Sequence, residues 1–279
     1  VAFEVVYSNV TYSGQTYAIV LWQRGTGLTS PLTGKLAGDI PGLENMGYTG
    51  LHHPRLSADG RVLAFQSDGY YPGESGTPLP AGYYVLVLAT GQVEVVSAAT
   101  GSGAPGPAGR QYGSLAVSDD GSVVAFASSQ NLFSGRSAYV QIASMQIWRR
   151  DRRSVTTTLV SAPALVPTAG VRLVAGGESD HPAVSSDGSV VAFESAAGDL
   201  VLDDSNEQTD VFGWTAESGV WRVSVAPDGT QANDSSAWPA VSADGQLIAF
   251  ASSASNLVRG DTNADPFYGS RRGAPFDIF

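Results

Sequence analysis

Short apolar runs alternate with polar, glycine-containing breaks along the whole chain, and one block of this pattern recurs. Residues 53–65 (HPRLSADGRVLAF) are echoed by 181–193 (HPAVSSDGSVVAF) and 238–250 (WPAVSADGQLIAF). A further copy at 114–126 (SLAVSDDGSVVAF) lacks the proline. The repeated serine falls at Ser57, Ser118, Ser185 and Ser242, in steps of 61, 67 and 57 residues. Such steps are long for a helical solenoid and suit a four-stranded unit with variable loops.

Each copy predicts a hairpin. A short apolar strand ends at the serine, and an Asp-Gly turn follows in which glycine can take positive φ and aspartate can bond the local backbone. A β-branched strand ending in Ala-Phe comes next, apolar enough to be buried on both faces. Two more strands follow a polar loop, as at Tyr83–Leu88 and Gln92–Ser97, or Asp210–Trp214 and Val220–Ser224. Four antiparallel strands in repetition form a propeller blade, so the expected fold is all-β, a β-propeller of four-stranded antiparallel blades. Val1-Ala2-Phe3 matches the second strand of a blade, and Asp277-Ile278-Phe279 begins a third strand. Five blades are therefore in view, three complete and two partial, with a sixth expected if the native chain continues.

The Pro-x-x-Ser-x-Asp-Gly motif, the Val-Ala-Phe strand and the Asp210-Val211-Phe212 strand together resemble the TolB-type propeller repeat. The resemblance covers nearly all of 1–279, taken as one domain. It implies a periplasmic or secreted protein. It leaves function open, because such blades serve binding modules, accessory domains and catalytic propellers alike.

Charge narrows the partners. With 26 acidic against 15 basic residues the formal net charge is −11, a poor match to nucleic acid or an anionic membrane surface. The absence of cysteine excludes disulfides, thiolate metal sites and a cysteine nucleophile. No apolar run approaches the roughly 18 residues of a membrane span. The opening Val1-Ala2-Phe3-Glu4 is already strand-like and lacks the basic start of an export signal, so an exported protein would be present here in mature or trimmed form.

Four groups are candidates for chemistry. Asp-x-Asn-x-x-x-Asp places hard oxygen ligands on one short turn, which suits calcium. Asp204, Asn206 and Asp210 form one such set, and Asp261, Asn263 and Asp277 form another with an insertion. The competing reading is an Asx-turn that caps loop backbone without metal. His53, Ser114, His181 and Trp238 share one position in successive copies, at the start of the innermost strand, with His52 and Asp180 beside them. They are expected at the channel rim, as ligand contacts or as packing groups. Tyr70, Tyr71, Tyr83 and Tyr84 flank a Pro/Gly loop and could form a sugar or peptide platform, or the loop could instead pack on itself. The repeated serines recur too regularly for a nucleophile, and no Gly-x-Ser-x-Gly elbow is present.

The expected function is non-catalytic recognition of a protein or carbohydrate at the cell envelope or outside the cell. The alternatives are a propeller enzyme, such as a polysaccharide lyase or hydrolase using rim His and Tyr, and a scaffold for a catalytic domain elsewhere.

Overall fold

The computed structural model describes residues 2–8, 15–22, 29–31, 51–67, 80–102, 112–133, 142–164, 174–261 and 277–279. These form strands and turns, with no helix among the described residues. Blade 1 comprises β1 (Ala2–Ser8), β2 (Gln15–Trp22) and β3 (Thr29–Pro31). Blade 2 comprises β4 (Leu51–Leu56), β5 (Val62–Ser67), β6 (Gly82–Val87) and β7 (Gln92–Val95). Blade 3 comprises β8 (Tyr112–Val117), β9 (Val123–Ser128), β10 (Gln146–Asp151) and β11 (Thr156–Leu159). Blade 4 comprises β12 (Ser179–Val184), β13 (Val191–Ser195), β14 (Asp210–Thr215) and β15 (Gly219–Arg222). Blade 5 comprises β16 (Ser236–Val241), β17 (Ile248–Ser252) and β18 (Asp277–Ile278). Three sheets thus have four strands and two have three, in simple antiparallel order. The first strands of blades 2 to 5 lie side by side, β4 against β8, β8 against β12 and β12 against β16. This is the β-propeller arrangement expected from the repeat.

The second strand of each blade explains the stacking. Side chains alternate between faces along a strand. In β5, Leu63 and Phe65 join the cluster shared with blade 1, and Val62 and Ala64 join the one shared with blade 3. In β9, Val124 and Phe126 face blade 2 while Ala125 and Ala127 face blade 4. Every residue of β5 and β9 is buried. The core is consequently a series of inter-blade layers, each supplied by two sheets.

The Ser-x-Asp-Gly turns hold these layers in register. In the blade 4 turn, Ser185 donates to Asp187 at 2.7 Å, and its hydroxyl accepts the Val190 N–H at 3.0 Å. The turns at Ser57, Ser118 and Ser242 repeat both bonds. The glycines require positive φ, as Gly188 shows at 72°. They also carry no Cβ for a second reason. A Cβ at Gly121, Gly188 or Gly245 would stand about 2.5–2.6 Å from Val62, Val123 or Val190 of the preceding blade, whereas one at Gly60 would meet nothing within 4 Å. Backbone bonds cross the same interfaces, from Asp59 N to Asp119 O, Asp119 N to Ser186 O and Ser186 N to Ala243 O.

Gly188→Ala is therefore expected to cost about 3 kcal/mol or more in urea unfolding, and Gly60→Ala about 1 kcal/mol, because only the first adds overpacking to backbone strain. Equal costs would show that the interface contact is unimportant. The turn carboxylates supply a pH signature. Asp120 is held down to about 2 from 3.8, chiefly by the Ser122 backbone N–H and hydroxyl. Asp59, Asp187 and Asp244 are lowered too, led by the Ser57 hydroxyl, the Ser189 N–H and the Ser242 hydroxyl respectively. A carboxyl lowered only in the fold stabilises above its unfolded value and loses that contribution as pH falls through the folded one. Stability should decline as pH drops from 3.8 towards about 2, and less steeply in Asp120→Asn.

Candidate functional site

The first strands of blades 2, 4 and 5 each break their ladder at the same place. Register shifts between His52 and Arg55, between Asp180 and Ala183, and between Ala237 and Ala240. The break accommodates proline, since Pro54, Pro182 and Pro239 have no N–H to give to a ladder. The residue before each proline takes the left-handed conformation, with φ of 53° at His53, 50° at His181 and 52° at Trp238. For an L-residue this conformation is strained by about 1–2 kcal/mol. Blade 3 shifts register between Tyr112 and Leu115, placing Ser114 in the same bulge without the proline.

The predicted rim residues are thus brought into equivalent places on adjoining strands. Trp238 is 55% exposed, the His181 side chain 43%, and His53 is exposed, while Ser114 is intermediate. Polar contacts link them across blades. The Asp180 carboxylate accepts the Ser114 N–H at 2.9 Å and hydroxyl at 2.7 Å, and the Ser114 oxygen accepts the His181 N–H at 3.0 Å. Gly113 makes room for that carboxylate, since a Cβ there would lie 2.5 Å from Asp180 Oδ1. Glu194 then spans two blades. Its Oε1 bonds the His181 Nδ1 at 2.9 Å, and its Oε2 accepts the Trp238 backbone N–H at 2.8 Å. In blade 2 the equivalent partner is Gln66, whose Oε1 bonds the His53 Nδ1 at 2.9 Å.

Glu194 and Gln66 are contributors that the repeat motif does not single out. They occupy the position after Ala-Phe, where blades 3 and 5 carry Ala127 and Ala251. That polar exception, occurring in the two copies that have histidine before proline, is the available sequence signal.

The acidic loop of blade 4 has a different arrangement. Asp210 is fully buried at the start of β14, and burial pushes its carboxyl up. It accepts the Ser224 hydroxyl at 2.5 Å and the Asn206 amide at 3.0 Å. Asn206 also accepts the Gln208 N–H at 3.0 Å, an Asx-turn bond, and donates to the Ala232 carbonyl at 2.9 Å. Arg222 approaches Asp204 to 3.5 Å and Asp210 to 3.8 Å. Among the described residues no group of three or more His, Cys, Asp or Glu is arranged to hold a metal. In the second set, Asp261 is half-buried, Asp277 is exposed at the start of β18, and Asn263 lies outside the described residues.

The tyrosine platform is corrected by the fold. Tyr83 and Tyr84 are 0% and 1% exposed, because they sit mid-sheet between inter-blade layers. The Tyr83 hydroxyl donates to the Gly113 and Ala127 carbonyls of the next blade, at 2.9 and 2.6 Å. Tyr70 and Tyr71 lie outside the described residues.

The architecture and repeat define a β-propeller, whose turn motif resembles the TolB-type repeat. No family model matches the chain, and no curated protein does. Among solved structures it is similar to TolB from Acinetobacter baumannii, at 14% identity and a TM-score of 0.46, over 94% of this chain and 45% of that one. It is also similar to an oligogalacturonate lyase from Vibrio parahaemolyticus, at 12% identity and a TM-score of 0.41, over 92% of this chain and 55% of that one. The tricorn protease is matched at 12% identity and a TM-score of 0.46, over 86% of this chain and 21% of that one. The chain thus spans about half or less of the length of these structures. No helix among the described residues is long and apolar enough to cross a membrane.

Glu194→Ala is expected to cost about 1.5–3 kcal/mol, because it removes the acceptor of two bonds from a charged group, and to change the emission of Trp238. Glu194→Gln, which retains one acceptor oxygen, should cost less. Equal, negligible costs in urea unfolding would show that the bridge between blades 4 and 5 carries no stability.

Proposed function

We propose that this chain is a recognition propeller, and that its protein or carbohydrate ligand lies across the rim formed by His53, Ser114, His181 and Trp238. The observation that carries the reading is Trp238, 55% exposed on a left-handed backbone and braced from behind by Glu194. Strained, over-determined positions gather at binding sites, where the fold supports a geometry the local sequence disfavours. Here the strain recurs at one position in three blades and presents an aromatic ring each time. An exposed indole beside an imidazole offers a flat face with polar edges, suited to a sugar ring or an extended peptide.

The polar groups behind the rim are engaged with one another. The Ser114 hydroxyl donates to Asp180, and His181 meets the Ser114 oxygen through its backbone N–H instead of its ring, so Ser114 and His181 do not form a hydroxyl–imidazole pair. The enzyme reading retains one favourable observation. Glu194 bonds Nδ1 of His181, the orientation a carboxylate gives to an imidazole that works through Nε2. A location in the periplasm or outside the cell is supported by the TolB-type repeat.

The full chain is tested against an immobilised oligosaccharide library and a displayed peptide library. Trp238→Ala and His181→Ala should each weaken whichever class binds by at least about tenfold while the melting temperature is retained. Binding undiminished in both variants would refute the rim. Turnover of a bound polymer that disappears in His181→Ala would establish the enzyme reading instead.

A further inference from the structure

Two register-matched positions set blade 4 apart from blades 2 and 3, the first of them shared with blade 5, where Asp277 pairs with Ser252. The residue opening the third strand, paired with the serine that ends the second, is Gly82 in blade 2, Gln146 in blade 3 and Asp210 in blade 4. The fourth-strand residue opposite Tyr84, Trp148 and Phe212 is Val95, Leu159 and Arg222. Blade 4 therefore replaces two neutral residues with a carboxylate and a guanidinium in a single layer.

The Arg222 side chain is only 5% exposed. Its Nη1 donates to Gln231 Oε1 at 2.7 Å. Its Nη2 lies 3.5 Å from Asp204 and 3.7 Å from Asp203, and its Nε lies 3.8 Å from Asp210. Nε and Nη2 have no hydrogen-bond acceptor, so the three carboxylates face the guanidinium at ion-pair distance without closing on it. A buried charge left unopposed is costly, and here each sign supplies the other's partner.

We infer that Arg222 is the built-in cation of the acidic loop, holding among Asp203, Asp204 and Asp210 the place that a hard divalent ion would otherwise take. The Asp-x-Asn-x-x-x-Asp pattern is then an oxygen-ligand loop neutralised from within the chain. Removal of the guanidinium leaves a carboxylate and amide set of the kind that binds calcium through oxygen. This inference goes beyond the rim and does not depend on it.

Arg222→Leu installs the residue of blade 3 and leaves every loop oxygen in place. Melting of the full chain is compared in EDTA and in millimolar calcium for the wild type, R222L and R222K. Calcium should raise the melting temperature of R222L by about 5 °C or more beyond its effect on the wild type, because an ion that binds only the folded state stabilises it. Any contribution from Asp261 is common to both proteins and cancels in the difference. R222K, which retains the positive charge, should follow the wild type. Equal calcium shifts in the wild type and R222L would overturn the inference, as would an R222K that behaves like R222L. An R222L that stays unfolded in calcium as in EDTA would overturn it too, since the ion is held to replace the guanidinium.

Discussion

A strand buried on both faces must serve two neighbours at once, and the second strand of each blade does so with a fixed division of labour. The phenylalanine of the repeated Ala-Phe fills the layer towards the preceding blade, as Phe65, Phe126, Phe193 and Phe250 do. In blades 2 and 3 the alanine before it, Ala64 or Ala125, lets the following blade approach closely. Large against small at successive positions lets flat sheets stack without voids or overlap. The turns, the rim and the acidic loop all depend on that stacking for their positions.

The second constraint is steric and local. Each interface from blade 2 to blade 5 seats a turn glycine on a valine and adds a backbone bond between turns. Contacts of this sort couple each blade to its immediate neighbours alone, so the cohesion of the molecule is a sum over interfaces, as in other repeat proteins. Further cross-links reinforce particular joints. Arg152 of blade 3 grips Glu94 of blade 2 through two bonds of 2.9 Å, and Arg150 reaches the carbonyls of Ala98, Ala99 and Ser102.

The fold was legible because its signals are local and repeated. Serine, aspartate and glycine at fixed spacing specify a turn, and alternation specifies two buried faces. The equivalence of His53, His181 and Trp238 was legible for the same reason, since one residue precedes proline in three copies. What lay beyond the sequence depends on partners distant along the chain. Glu194 gains meaning only when β16 brings the Trp238 N–H to it. Arg222 lies 12 residues beyond Asp210, across a hairpin, in a strand whose sequence gives no hint of a carboxylate layer. The tyrosines show the reverse case. An aromatic pair beside a Pro/Gly loop looks like a surface feature until the sheet places Tyr83 and Tyr84 at its centre.

The left-handed bulge on the innermost strands separates how a side chain is aimed from what that side chain is. The backbone at His53, His181 and Trp238 holds nearly the same φ although an imidazole stands at two of the sites and an indole at the third. The trajectory out of the fold is set by the bulge and the proline behind it, and the chemistry by a single interchangeable residue. Such a rim works as a row of sockets. Its surface chemistry can change one position at a time while the frame that displays it stays unaltered.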